Sequence, residues 1–203
     1  MTAVVTQPRT YTAEEYLALE VDSDTRSEFR DGEIVEMAGG TPVHNQLSSA
    51  LNALLWFNLR RKPHTVFVTD QRLWIPALNL YTYPDIMVVS NPIKLKPERK
   101  DTVMDPILIA EVLSSSTAAY DRSDKFAHYR TFAHYRTIET FQEYVLIDQY
   151  QPHVEHYEKQ AANQWLFTEY SGLKGGFMLS SVEVEIAISD PYEAVEFKQV
   201  ELE

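Results

Sequence analysis

The sequence predicts a single soluble α/β (α+β) domain in which helices flank a central mixed sheet. The 203 residues suit one domain with a substantial core, and 44% hydrophobic and 24% charged residues are ordinary for a globular protein. Residues 44–61 repeat leucines at the three- and four-residue steps of an amphipathic helix. Residues 106–113 and 143–148 are nearly continuously apolar, which is typical of strands buried on both faces.

The chain divides into three parts. We expect a flexible N-terminus at residues 1–10, one domain at residues 11–190 and a C-terminal tail at residues 191–203. The domain opens with a short helix, because Thr12 is placed to cap its first turn and Glu15 to complete a capping box.

A hairpin and a strand surround the amphipathic helix. Residues 28–37 form the predicted hairpin, because Asp31-Gly32 is a favoured two-residue turn. After the helix, residues 65–76 alternate and are rich in β-branched and aromatic side chains, which predicts one strand.

The second half alternates strands with a loop and a helix. The predicted elements are a short strand at 84–89, a loop at 91–105, a strand at 106–113, a helix at 121–137, a strand at 143–148, and a β-rich extension to about residue 189. The core order is therefore α-β-β-β-α-β.

The second helix contains a six-residue repeat. Residues 126–131 and 132–137 both read Phe-Ala-His-Tyr-Arg-Thr. Six helical residues turn about 600°, so the two copies point roughly 240° apart and cannot both face the sheet. We interpret one copy as an insertion that lengthens the helix by about 9 Å. The sequence leaves open which copy that is.

Charge and composition limit the function. The formal net charge of -12 resides in the flanks, with -6 over residues 1–42, +1 over residues 43–150 and -7 over residues 151–203. This distribution argues against tight non-specific DNA binding but permits a weak or shape-specific contact. The chain has no Cys, which excludes disulfides and thiol nucleophiles. With no signal-peptide pattern at the start and no apolar run that would span a bilayer, we expect a cytoplasmic protein without a membrane partner.

Two carboxylates stand in otherwise apolar strands. Asp85 follows Pro84 at the start of one strand, and Glu111 lies inside another. Burying a carboxylate costs several kcal/mol in order of magnitude unless it is paired, protonated or bound to a cation. Two such acids on adjacent strands would suit Mg²⁺ or Mn²⁺, which would activate water for phosphodiester hydrolysis. As alternatives, Glu111 pairs with a core cation, Arg72 or Lys125, and Asp85 merely starts a strand.

The chain resembles the PD-(D/E)XK nucleases and, more narrowly, the Uma2 family (DUF820) of restriction-type endonucleases. The resemblance covers about residues 10–190 and implies a restriction-endonuclease-like core with an N-terminal helix-hairpin and a β-rich C-terminal extension. The matching segments are residues 11–16, Glu28 with Asp31-Gly32-Glu33, His44, Pro84-Asp85, residues 111–114, residues 121–125 and residues 143–148.

The resemblance also implies roles for particular residues. Asp85, Glu111 and Val112 are the expected metal ligands, and Glu28 is a supporting acid. The lysine expected two residues after the second acid is Leu113 here.

Lys125, at the start of the second helix, is the candidate replacement that would stabilise charge on the scissile phosphate. Its alternative roles are a solvated residue or an ion pair with Asp121 or Asp124. His44 is a candidate accessory residue at the metal or phosphate, although such a residue is more often only part of a helix start.

The resulting hypothesis is a metal-dependent endonuclease acting on nucleic acid, with DNA expected. The alternative is a catalytically inactive nuclease-fold protein that serves as a dimeric binding or scaffolding module, and a small-molecule-binding β-rich domain is a third reading. We also expect a homodimer, because residues 151–190 carry Trp165, Phe167 and Tyr170 on predicted hairpin strands that could pair with another subunit.

Overall fold

A computed structural model describes residues 10–37, 39–113 and 131–197. Its helices are α1 (Ala13–Val21) and α2 (Pro42–Leu59), with a 3-10 turn at Pro76–Leu78 and helical residues at 131–135. Its strands are β1 (Ser27–Arg30), β2 (Glu33–Glu36), β3 (His64–Val68), β4 (Arg72–Ile75), β5 (Leu80–Thr82), β6 (Ile86–Ser90), β7 (Thr102–Val103), β8 (Pro106–Leu113), β9 (Glu143–Asp148), β10 (His153–Ala161), β11 (Gln164–Ser171), β12 (Gly176–Leu179) and β13 (Val184–Ala187).

A six-stranded mixed sheet forms the centre, in the order β11-β10-β9-β8-β6-β3. β8 and β9 are parallel, and the other neighbours are antiparallel. A five-stranded sheet has the order β2-β1-β5-β4-β7, and β12 and β13 form a separate hairpin. The mixed α+β architecture predicted from the sequence is therefore confirmed.

The two faces of the six-stranded sheet are covered differently. On one, which we call the α2 face, the buried leucines of α2 and the β12–β13 hairpin pack against alternate residues of β6, β8 and β9. On the other, the β4 face, Leu73 and Ile75 of β4 and the aromatic residues Phe132 and Tyr135 cover Met87 and its neighbours. Along each strand, successive side chains point to opposite faces, so a residue's position in the chain decides which core it joins.

Several local predictions are confirmed. The capping box at Thr12 and Glu15 is present at the start of α1. Asp31 and Gly32 both have positive φ in the β1–β2 turn, as a two-residue hairpin of this type requires. The bounds of β8 and β9 are those predicted. α2 begins two residues before its predicted start, because Thr41 accepts from the backbone of the first turn and acts as the N-cap.

The single strand predicted at residues 65–76 is wrong. The chain forms β3 in the six-stranded sheet and β4 in the five-stranded sheet, separated by residues 69–71. Thr69 has a φ of 51°, which turns the backbone out of the extended region, and its N–H donates to the Asp85 carbonyl at 2.8 Å. Residues 69–72, which read Thr-Asp-Gln-Arg, interrupt the apolar pattern at this corner, and the prediction of one strand overlooked that interruption.

Two predictions beyond the core are refined. β10 and β11 extend the six-stranded sheet, so the β-rich C-terminal part is largely continuous with the core. In the second copy of the repeat, Phe132 and Tyr135 are both buried against the β4 face. Of the first copy, residues 126–130 lie outside the described residues. Among the helices described, none is long and apolar enough to cross a membrane.

Candidate active site

Strand pairing brings Asp85 and Glu111 together where β6 begins and β8 ends, inside the six-stranded sheet. In the antiparallel β6–β8 pair, Ile86 lies opposite Ala110, so the next step of the register places Asp85 opposite Glu111. The Val112 N–H donates to Oδ2 of Asp85 at 2.9 Å, which ties the residue before β6 to β8. Both acidic side chains lie on the β4 face. Asp85 is two residues from Met87 and Glu111 is two residues from Ile109, and Met87 and Ile109 both point to that face.

Two tyrosine hydroxyls hold the carboxylate of Glu111. Tyr135 donates to Oε1 at 2.7 Å, and Tyr144 of β9 donates to Oε2 at 2.8 Å. The pKa of Glu111 is raised to about 7, mainly by burial; the nearby negative charge of Asp85 adds to this shift, and the two tyrosine hydrogen bonds oppose it. Without a cation, Glu111 therefore exchanges its proton near neutral pH.

His44 pairs with Asp85. Because α2 starts at Pro42, His44 lies in its first turn, and Nε2 approaches Oδ2 of Asp85 to 3.1 Å. The hydrogen bond with Asp85 raises the pKa of His44, with burial opposing it. A protonated His44 thus neutralises Asp85, and a cation bound at Asp85 would compete with it.

Glu28 is the third acid on this side. It lies on β1 and accepts a short hydrogen bond from the Thr82 hydroxyl of β5. Its charge contributes to the raised pKa of Glu111. The five-stranded sheet therefore presents a carboxylate toward the two acids of the six-stranded sheet.

The remaining predicted site residues are placed as follows. Val112 has a buried side chain on the α2 face, so a metal would meet only its main-chain carbonyl. Lys125 and its alternative partners Asp121 and Asp124 lie outside the described residues.

Arg72, named as an alternative partner for Glu111, does not pair with it. Its guanidinium donates to Glu20 at 3.2 Å, to the Tyr83 hydroxyl at 2.8 Å and to Asp101 at 3.1 Å. Arg72 and Glu20 are both buried, and the pair joins α1 to β4. The alternative that Glu111 pairs with Arg72 is therefore wrong, because the guanidinium of Arg72 binds other partners.

The donor set fits an oxygen-preferring divalent cation. Two carboxylates converge from adjacent strands, and Glu28 lies near enough to affect the charge of Glu111. Within the described ranges, a group of three metal-ligand side chains with ligand atoms within 4.8 Å of one another lies on β10 and β11, not at this site. A cation at Asp85 and Glu111 would thus keep several of its waters, as Mg²⁺ commonly does.

Tyr135, Tyr144 and Thr82 were not identified from the sequence. The two tyrosines lie in aromatic and apolar surroundings that predict core positions, and their hydroxyls gain a role only once Glu111 is placed beside them. The parallel β8–β9 pairing was the missing information, because it sets Tyr144 beside Ile109, two residues before Glu111 on the same face.

Comparison with known proteins shows which family the chain is similar to. Residues 13–189 match the family described as "Uma2: Putative restriction endonuclease". In Synechocystis sp. (strain ATCC 27184 / PCC 6803 / Kazusa), the uncharacterized protein sll1609 is 43% identical over 169 residues, which cover 83% of this chain and 92% of that protein. The uncharacterized protein slr1290 of the same organism is 31% identical over 186 residues, covering 91% and 92%.

A solved structure shares the fold. The crystal structure of "a putative nuclease belonging to DUF820" from Anabaena variabilis ATCC 29413 aligns with a TM-score of 0.70 at 18% identity, covering 92% of this chain and 98% of that chain. At this identity the likeness shows the fold alone.

Proposed function

The chain belongs to the Uma2 family, and on this basis we propose that it is a metal-dependent endonuclease that hydrolyses phosphodiester bonds, with DNA as the substrate. The observation that carries the proposal is the opposition of Asp85 and Glu111 across β6 and β8. Their carboxylates, with the main-chain carbonyl of Val112, would hold Mg²⁺ or Mn²⁺. When bound, the cation supplies Lewis-acid activation of the phosphate and of a water nucleophile.

The chain's own residues would prepare this site. Tyr135 and Tyr144 fix the orientation of the Glu111 carboxylate by donating to its two oxygens. Glu111 must release its proton before it binds a cation, and its pKa of about 7 makes this step pH-dependent near neutrality. His44 offsets the charge of Asp85 until the cation arrives. We assign Glu28 a supporting role and Lys125 the stabilisation of phosphate charge.

The test is plasmid nicking with Mn²⁺ by the full chain and by Asp85→Asn, which keeps the shape of the side chain and removes its charge. We expect the variant to lose nicking by a factor of about 10² or more, the order found when a single electrostatic group of an active site is removed. Glu185→Gln is the control, because Glu185 is an exposed acid on β13, away from the site. Equal nicking by wild type and Asp85→Asn would refute the assignment of Asp85 to the active site.

The alternative function, an inactive nuclease-fold scaffold, makes a different prediction. Both oxygens of Glu111 already accept a tyrosine hydrogen bond, and a pKa of about 7 lets the carboxyl become neutral by protonation, so these acids could persist without a metal. Calorimetric titration with Mn²⁺ discriminates between the two, because absence of binding to the wild-type protein favours the scaffold.

We also propose a homodimer formed through β11. β11 is an edge strand of the six-stranded sheet, and Phe167 on it is exposed, whereas Trp165 and Tyr170 are partly buried against neighbouring aromatic residues. An edge strand offers unpaired backbone groups to a second copy. Light scattering measures the mass directly, and a monomer at micromolar concentration would contradict the proposal.

A further inference from the structure

A second cluster of ligand-type side chains lies on the β10–β11 hairpin. His153 and Glu155 are two residues apart on β10 and therefore point to the same face. Glu169 of β11 lies directly opposite Glu155 in the antiparallel register. One ligand atom from each of the three side chains lies within 4.8 Å of the other two.

The two carboxylates of this cluster lie close enough together that a bound cation would stabilise them. Glu155 is buried, with 9% of its surface exposed, and a second carboxylate stands directly across from it. Like charges in such a cross-strand pair are destabilising. Within the described part of the chain, neither Glu155 nor Glu169 forms an ion pair with a lysine or arginine. The basic group beside them is His153, whose Nε2 lies 3.6 Å from Oε1 of Glu169.

Residues around the cluster orient its ligand atoms. Nδ1 of His153 lies 3.2 Å from Oγ of Ser171, its cross-strand neighbour. With the proton on Nδ1 donated to Ser171, Nε2 presents a lone pair toward the carboxylates. The Tyr157 hydroxyl donates to Oε2 of Glu155 at 2.9 Å, which leaves Oε1 for another partner. Metal-binding histidines and carboxylates are characteristically held by such outer hydrogen bonds.

We propose that His153, Glu155 and Glu169 bind a divalent transition-metal ion, with Zn²⁺ as the representative. One imidazole nitrogen and two carboxylate oxygens suit Zn²⁺, Mn²⁺ or Co²⁺, whereas Mg²⁺ prefers oxygen ligands alone. Three protein ligands leave a further position for water. The ion would neutralise the Glu155–Glu169 pair and fasten the edge strand β11 to β10.

This site is distinct from the one at Asp85 and Glu111. The sheet registers place Glu111 opposite Leu146, and Leu146 opposite Glu155, so the two sites lie on the same β4 face two strands apart. Two strand spacings are about 10 Å. The proposal does not depend on nuclease activity.

The test is calorimetric titration of tag-free, full-length protein with Zn²⁺ in an Asp85→Asn background, which disables the other site. We expect one equivalent to bind, and we expect both Glu169→Gln and His153→Asn to weaken its affinity by about tenfold or more. Glu185→Gln, which removes one exposed acid from β13, should leave the affinity unchanged. A large excess of Mg²⁺ should not displace the Zn²⁺.

Two outcomes overturn the proposal: no binding in the Asp85→Asn background, or equal affinity in the Glu169→Gln and Glu185→Gln proteins, which would mean adventitious surface binding. A second measurement needs no variant of the cluster. Adding one equivalent of Co²⁺ to Asp85→Asn should produce the visible absorption bands of a low-coordinate site, and a spectrum like that of aqueous Co²⁺ would equally refute the site. Melting in EDTA verifies that the variants are folded.

Discussion

Replacing Glu111 with Gln tests the electrostatic account of the site without any substrate. The substitution keeps the size of the side chain and removes its ability to ionise. In the wild-type protein, burial and the charge of Asp85 raise the pKa of Glu111 from 4.5 to about 7. The folded state therefore binds more protons than the unfolded state between these two pH values, and the free energy of unfolding falls as pH rises through that window.

The magnitude follows from the size of the pKa shift. Each unit corresponds to about 1.4 kcal/mol, so a shift of about 2.5 units corresponds to about 3 kcal/mol. Because the Glu111 side chain keeps some contact with solvent, we expect about 2–3 kcal/mol. The contribution is fully present below about pH 4.5 and is lost above about pH 7. The Glu111→Gln protein does not lose this contribution. Its free energy of unfolding, minus that of wild type, should therefore rise by about 2–3 kcal/mol between about pH 4.5 and pH 7.

The assay is urea unfolding in EDTA at several pH values between about 4.5 and 8 for both proteins, since the difference cancels groups that titrate equally in each. Glu185→Gln serves as the matched control for the loss of one acidic side chain, because Glu185 is exposed on β13. If the difference between Glu111→Gln and wild type varied with pH no more than that of this control, Glu111 would not have a raised pKa, and the proposed coupling of metal binding to its proton would be refuted.

Two further predictions concern neighbouring contacts. Tyr144→Phe removes a hydrogen bond that lowers the pKa of Glu111, so Mn²⁺ affinity measured by calorimetry should reach its plateau at a higher pH; an unchanged pH profile would contradict this. Arg72→Met leaves Glu20 buried without its cation and should lower the free energy of unfolding by about 3–5 kcal/mol in urea. Arg26→Met, which removes an exposed arginine from a loose ion pair, should cost under about 1 kcal/mol, and equal losses would refute the special role of the buried pair.

The strands that carry the central acids could be predicted because their chemistry is local. Glu111 interrupts an apolar run and Asp85 precedes another, so each is visible in a single segment. Their opposition across β6 and β8 agrees with the expectation of adjacent strands. The capping box of α1 and the Asp31-Gly32 turn were predictable for the same reason: a few consecutive residues determine each of them.

What the sequence did not reveal depends on long-range pairing. The corner at Thr69 separates β3 from β4. Although residues 69–72 interrupt the apolar pattern, the assignment of the two strands to different sheets depends on their pairing with β6 and β5. Arg72 lies just beyond that corner, so mistaking two strands for one also left its partner Glu20 unrecognised. The acid at position 155 belongs to a mostly polar strand, where an exposed surface is the usual interpretation, and the register with β11 gives it an acidic cross-strand neighbour.

The β4 face has a consequence for how a polyanion reaches it. Asp85, Glu111, Glu155 and Glu169 follow one cross-strand line, with Leu146 as its uncharged member. Without divalent cations, a nucleic acid approaching this line meets a field of its own sign from those of the acids that are ionised, and monovalent salt screens that repulsion. Encounter should then become faster as ionic strength rises, the reverse of proteins with basic grooves. Cation loading would thus control the approach of the substrate as well as its chemistry.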